Sequence, residues 1–231
     1  MEIYEGIEIK DLCLYLVKEK ILIIADTHIG QEESLNKTGI MLPRFAFKDM
    51  KERLSKVLQD LEINKIIING DLKHEFGSIS NTEWKQSLEL IDILKKKCKE
   101  VILIKGNHDT ILGPIAKSKR LIMYDFYKVG DILICHGDKI INEDAKIIII
   151  GHEHPAIGLR ENERVETFKC FLRGKWKRKT LIVMPSFNFV TQGSDILREQ
   201  VLSPYLEQNI RKFEVFIVGD KTYDFGRVGD L

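Results

Sequence analysis

KIIINGDLKH, residues 65–74, is an apolar run of strand length that breaks off at Gly70, Asp71 and, three residues later, His74. Upstream of it Phe47, Met50, Leu54, Val57, Leu58 and Leu61 recur at helical spacing. Downstream Trp84, Leu88, Ile91 and Leu94 do the same, behind a Ser80-x-x-Glu83 sequence of capping-box form. A short buried strand between two amphipathic helices predicts parallel pairing, because parallel neighbours need a crossover between them. ILIIA (21–25) and VILIK (101–105) supply the flanking strands, so the chain opens as β-α-β-α-β.

The second half has a different texture. DILIC (131–135), KIIII (146–150) and TLIVM (180–184) again read as buried strands. Around them, MYDFYKVGDILIC predicts a hairpin turning at Gly130-Asp131, FLRGKWKRKTLIV one turning near Gly174, and FEVFIVGDKTYDFG a third. Two mixed sheets packed face to face, with helices on the outside, accommodate both halves in an α/β fold.

At 231 residues, 44% hydrophobic and 31% charged, the chain is of single-domain size, and it carries no low-complexity tract or internal repeat. A net charge of +1 excludes any function that relies on a strong overall field, so an anionic partner has to be met by a local patch. RGKWKRK (173–179) is such a patch, readable as a phosphate clamp with a stacking tryptophan or as a solvated hairpin tip. KSKR (117–120) is placed on the rim of the site. No apolar run reaches membrane-span length, and Cys13, Cys98, Cys135 and Cys170 form no C-x-x-C pair. The expectation is a reduced, cytoplasmic protein without a membrane partner.

The chemistry sits at the strand ends. ILIIA is followed by Asp26 and His28, KIIIN by Asp71 and His74, and VILIK by Asn107, His108 and Asp109. DILIC is followed by His136, and KIIII by His152 and His154. All six histidines therefore lie at or just beyond predicted carboxyl ends, the edge where ligands bind in open α/β sheets. Imidazole, carboxylate and amide oxygens form a donor set suited to manganese, iron, zinc or nickel. They are too many for one tetrahedral ion but would serve two ions roughly 3.5–4 Å apart, bridged by a carboxylate and a hydroxide. Such a pair stays cationic against Asp26 and Asp71, which suits a phosphate substrate.

ADTHIG (25–30), NGDLKH (69–74), KGNHD (105–109), CHGD (135–138) and IGHEH (150–154), in that order, resemble the five motifs of the calcineurin-like metallophosphoesterases. ADTHIG and the GDLKH form are similar to SbcD-type nucleases of DNA-break repair. GQEESLNKTGIMLP (30–43), MPSFNFVTQG (184–193) and YDFGRV (223–228) resemble small archaeal SbcD-related and DNA-ligase-associated phosphoesterases.

The resemblance implies a four-layer α/β/β/α sandwich and hydrolysis by in-line attack of a hydroxide bridging two divalent ions, manganese first. Asp26, His28 and His154 would hold one ion, Asn107, His136 and His152 the other, with Asp71 between them. His108 would be the catalytic acid, Asp109 its orienting neighbour, and His74 a substrate contact. The substrate would be a phosphodiester, DNA or RNA among them, with a DNA-repair ATPase or ligase as partner.

No long insertion or C-terminal cap like that of full-length SbcD-type nucleases is read, so residues 1–231 are expected to form one phosphoesterase domain. Cys135, beside His136, should face the opposite side of its strand and be a core thiol. Glu153 should point away from its flanking histidines, to the surface or to a supporting layer. The alternatives within the fold are a phosphomonoesterase or cyclic-nucleotide phosphodiesterase, and a noncatalytic scaffold such as the retromer subunit. Loss of the metal ligands would mark the scaffold, and here they are all present.

Overall fold

A computed structural model describes residues 1–161 and 164–231. The first sheet holds seven strands in sequence order: β1 (Glu2–Tyr4), β2 (Ile7–Lys10), β3 (Cys13–Leu16), β4 (Ile21–Ala25), β5 (Lys65–Asn69), β6 (Glu100–Ile104) and β7 (Ile122–Tyr124). From β4 to β7 each pair is parallel, as the strand-helix alternation predicts. Helices α1 (Gln31–Lys37) and α2 (Ala46–Gln59) lie between β4 and β5, α3 (Asn81–Lys95) between β5 and β6, and α4 (Gly113–Lys119) before β7. The antiparallel strands β1 to β3 precede this unit, with Ile3, Ile7 and Ile9 buried by simple alternation.

The second sheet contains β8 (Phe126–Val129), β9 (Ile132–Cys135), β10 (Ile147–Ile150), β11 (Pro155–Glu161), β12 (Arg164–Trp176), β13 (Lys179–Val183), β14 (Ser194–Asp195), β15 (Glu214–Val218) and β16 (Thr222–Arg227). Strand β10 pairs in parallel with β9 and β13, while the rest of this sheet is largely antiparallel. Its strands sort by parity. Ile134, Ile147, Ile149, Phe171, Ile182 and Phe216 join the core shared with the first sheet and with α2 and α3. Their neighbours Leu133, Cys135, Ile148, Ile150, Leu172, Leu181, Val183 and Val215 form a second core on the other face. That two-residue alternation is what a face-to-face sandwich requires. Tyr205, Leu206 and Phe213, in the turn-rich segment before β15, cover the second core.

Three local expectations need correction. The hairpin expected near Gly174 turns instead at Lys177 and Arg178, since Trp176 pairs with Lys179. Gly174 is a mid-strand residue over which the Phe213 ring lies, in space a Cβ would need. In MYDFYKVGDILIC the turn falls at Gly130-Asp131 as expected, but Met123 and Tyr124 belong to β7 of the first sheet. The buried stripe of α3 includes Glu83 and Ser87 in place of the half-buried Trp84 and Leu88, because Glu83 reaches inward to a loop of the site.

Candidate metal centre

Parallel strands β4, β5 and β6 of the first sheet, and β9 and β10 of the second, end at one place on the seam between the sheets. Backbone pairing continues past the strand ends: His28 N–H donates to Asp71 O at 2.9 Å, and His74 N–H to Ile29 O at 2.9 Å. This tethers the polar loops in step with their strands. Hydrogen bonds cross the seam here. Asn69 Nδ2 donates to Cys135 O at 2.9 Å, Phe187 N to Ala25 O at 2.7 Å, and His152 N to Asp26 Oδ2 at 2.8 Å.

The backbone is left-handed at Asp26, His28, Asp71, His152 and His154, with φ between 41° and 63°. Non-glycine residues adopt that region sparingly, and its cost is characteristic of functional sites. Gly106 is required in another way: its missing Cβ leaves room for the Asp71 carboxylate.

Two nitrogen-oxygen clusters result. In one, His28 Nε2 lies 3.3 Å from His154 Nε2, which is 3.6 Å from Asp26 Oδ2. In the other, His136 Nε2 lies 2.8 Å from Asn107 Oδ1, 3.1 Å from His152 Nδ1 and 3.4 Å from Asp71 Oδ2. Asp71 Oδ2 is also 3.6 Å from His28 Nε2, so this carboxylate stands between the clusters. The histidine, aspartate and asparagine residues read from the sequence as metal ligands are thus brought together.

Burial would raise the Asp26 carboxyl, but His154 and His136 outweigh it and hold the group below its ordinary range. Asp71 is likewise held low, His136 overcoming burial. His28 is pushed down to about 3 by burial and by the neighbouring His154, and His152 is lowered by burial and His136. Their neutral imidazoles are the ligand form. His136 goes the other way: despite burial, Asp26 and Asp71 raise it well above its usual value. Two buried carboxylates thus draw positive charge to this point. Asp26 Oδ1 and His136 Nδ1 lack hydrogen-bond partners, although they lie 3.3 Å apart. A cluster of nitrogen and oxygen lone pairs with unmet polar atoms and a demand for positive charge fits divalent ions.

The supporting residues are less expected. Asp109 does not orient the His108 ring. Its carboxyl accepts from the N–H groups of Gly106 at 3.1 Å and Leu72 at 3.3 Å, and burial with the Asp71 charge pushes it up to about 7. The His108 ring is set instead by its Nδ1 contact with His74 O and by Phe76, whose ring centroid is 3.7 Å away. His108 N–H donates to Asp71 Oδ1 at 2.9 Å and fixes the shared carboxylate. His74 is half-buried, 5.5 Å from His28 and 5.4 Å from His108 between ring centroids. Three adjacent groups each offer a metal-sized set of atoms: Asp26, His28 and His154; Asp71, His136 and His152; and His28, His74 and His108.

Lys73, wholly buried, donates to His108 O at 3.0 Å and also contacts Glu75 O. Glu83 both closes the α3 capping box and accepts from His74 N at 3.1 Å and Glu75 N at 2.7 Å. The capping box was the only sequence signal for Glu83, and the buried Lys73 had none. Glu153 points away from its histidines but is buried rather than at the surface, accepting from Leu202 N and Ser203 N at 2.8 Å each. Cys135 is buried on the opposite face from His136, with burial pushing its thiol up to about 12.

Neither basic segment reaches this centre. RGKWKRK forms the end of β12 and the turn into β13, with Lys175 opposite Thr180, which pairs with Ile147 at the far end of β10 from the histidines, and Trp176 is buried 4.9 Å from Tyr205. Arg120 of KSKR precedes β7, whose first residue pairs with Ile102, well before the carboxyl end of β6.

No curated protein matches the chain. Among solved structures, the nuclease MPE of Pseudomonas putida shares the fold at 20% identity and a TM-score of 0.69, with 94% of this chain and 93% of that one covered. A protein of unknown function, AQ665 from Aquifex aeolicus, matches at 21% identity and a TM-score of 0.37, covering 62% of this chain and 81% of that one. Vps29 from Chaetomium thermophilum matches at 15% identity and a TM-score of 0.39, covering 86% and 81% respectively. The family model for calcineurin-like phosphoesterases matches residues 19–180, from just before β4 to the start of β13. That interval contains every ligand candidate and both sets of parallel strand ends, and the chain belongs to the calcineurin-like phosphoesterase family.

Proposed function

We propose that the chain hydrolyses phosphodiester bonds, those of a polynucleotide included, using two divalent ions at the strand ends. The observation that carries this reading is the position of Asp71 Oδ2, 3.6 Å from His28 Nε2 and 3.4 Å from His136 Nε2. Asp26, His28 and His154 would hold one ion, Asn107, His136 and His152 the other, with Asp71 shared. Bound there, the ions would supply Lewis acidity for activating water and neutralising a phosphate, with manganese the first candidate.

The chain's own residues do the rest. His108 N–H holds the Asp71 carboxylate between the two clusters. The partly exposed His108 ring, held by His74 O and Phe76, donates a proton to the leaving oxygen. His74, beside it, contacts the phosphate. Next to His28 a cavity of about 180 Å³, lined by Gln31, Arg44, Gln86 and Phe189 among others, leaves room for a group attached to the phosphorus. No thiol takes part, since Cys135 is buried on the wrong face. The full-length fold shared with a nuclease supports the polynucleotide substrate.

The test is Mn²⁺-dependent hydrolysis of bis-p-nitrophenyl phosphate beside p-nitrophenyl phosphate, with single-stranded and duplex oligonucleotides in parallel. Asp71→Asn should lose metal, measured by elemental analysis, together with turnover. His108→Ala should keep its metal and slow diester cleavage by about 10²–10⁴-fold. Turnover of the monoester alone would move the assignment to a phosphomonoesterase, and negligible bound metal would move it to a scaffold.

A further inference from the structure

Arg173, Lys175, Lys177, Lys212 and Arg227 converge on a cavity of about 620 Å³ whose single lining carboxylate is Glu214. That volume is within the usual range of ligand sites. The cavity opens where Tyr4 of β1 meets β12, β13 and the segment before β15. It is separate from the metal centre: Thr180, on its wall, pairs with Ile147 at the opposite end of β10 from the histidines.

The one carboxylate is already used. Arg173 Nε donates to Glu214 Oε2 at 2.5 Å, and Arg173 Nη1 contacts Ile3 O of the other sheet. Arg173 is thus fixed across the seam. Lys175 is held by a neutral partner, Thr180 Oγ1, at 3.0 Å, and Lys177 lies over the Trp176 ring at 4.3 Å. Among the described residues, Lys175, Lys177 and Lys212 have no carboxylate within ion-pair distance, and Arg227, opposite Glu214 on the β15–β16 ladder, shares that one carboxylate with Arg173. Five cations around one concavity are therefore set against one carboxylate among its described lining residues.

We propose that this cavity binds a run of phosphates, as a ligand site distinct from the metal centre. A lone phosphate would satisfy one or two of the cations. Arg173 and Lys175, two residues apart on one strand, repeat at about 6.6–6.8 Å. Lys212 and Arg227 face them from other elements, so the cations form a lined trough that suits several anionic groups in succession. Arginine in a fixed position favours phosphate oxygens, which accept bonds in several directions at once. A free oligophosphate and a polynucleotide backbone both supply this chemistry.

Calorimetric titration of the full chain, in chelator so that no ion occupies the strand-end centre, tests the site. The titrants are tripolyphosphate, a twelve-nucleotide single strand and an oligoglutamate peptide. Lys212→Gln with Arg227→Gln, both at exposed positions, should weaken phosphate binding about ten-fold and reduce the slope of log affinity against log salt by about 1.5. Lys175→Gln with Lys177→Asn provides a second, independent pair. Thermal midpoints of both variants should match the parent, so that any loss reflects the trough. Binding of tripolyphosphate alone identifies a small phosphorylated ligand, and tighter binding of the oligonucleotide identifies a strand. Equal affinity in parent and variants, no binding of either phosphate titrant, or oligoglutamate binding as tightly as they do, overturns the proposal.

Discussion

Lys169 shows how a single residue near the centre governs pH response. Its ammonium is buried and donates to Ser186 Oγ at 2.7 Å, with no carboxylate in contact among the described residues. Burial pushes it down to about 7 from the ordinary lysine value of 10.5, against the pull of Asp26. The unfolded chain therefore holds this proton more tightly between those values, and stability should rise with pH across that window and level off at its lower value below about 7. Lys169→Met removes that dependence. The variant should be more stable at pH 7, on the order of 1–3 kcal/mol, with the gap narrowing toward pH 10. Urea midpoints at several pH values measure it, and parallel curves would refute the assignment. Lys169 was not legible as a special position, because a lysine in a strand announces nothing until its neighbours are known. Asp26, Asp71 and the histidines were legible because each lies within a few residues of the end of an apolar run. Lys73 and Phe76, which set His108, depend on contacts across more than thirty residues.

Elements were readable where local pattern and burial agree. The runs at 21–25 and 65–69 are strands over those very residues, since parallel strands covered on both faces are apolar throughout. Reading failed where packing decides. Gly174 suggests a turn to any local rule, yet it continues β12 because the Phe213 ring occupies the space above it. Gly174→Ala should drive its Cβ into that ring and destabilise the protein by about 1–3 kcal/mol, read as a lower urea midpoint with unchanged metal content. An unaltered midpoint would mean that Phe213 moves aside freely. Helix α3 has the same character: its start was legible from Ser80 and Glu83, but the burial of Glu83 follows from the loop it supports.

For the whole molecule, the sandwich followed from counting strands and placing crossovers, while the arrangement of its seam did not. Ions bound only by the folded chain should stabilise all of it. At ion concentrations a hundred times the dissociation constant, the gain is about 2.7 kcal/mol, or a thermal midpoint higher by about 5–10 °C. Scanning calorimetry with and without chelator checks this, and identical midpoints would exclude metal binding by the native state. Because Asp26 and Asp71 raise the affinity of His136 for a proton, removal of the ions should also be accompanied by proton uptake, visible as a buffer-dependent heat.

His152 N–H reaches Asp26 across the junction of the sheets, and Asn69 and Phe187 make parallel crossings beside it. Each donor cluster therefore draws residues from both sheets. A sub-ångström slide of one sheet over the other would spread both clusters at once while leaving every strand intact. Metal affinity in this protein is accordingly a gauge of sheet alignment, able to register a core substitution far from any ligand before spectroscopy detects a change in secondary structure.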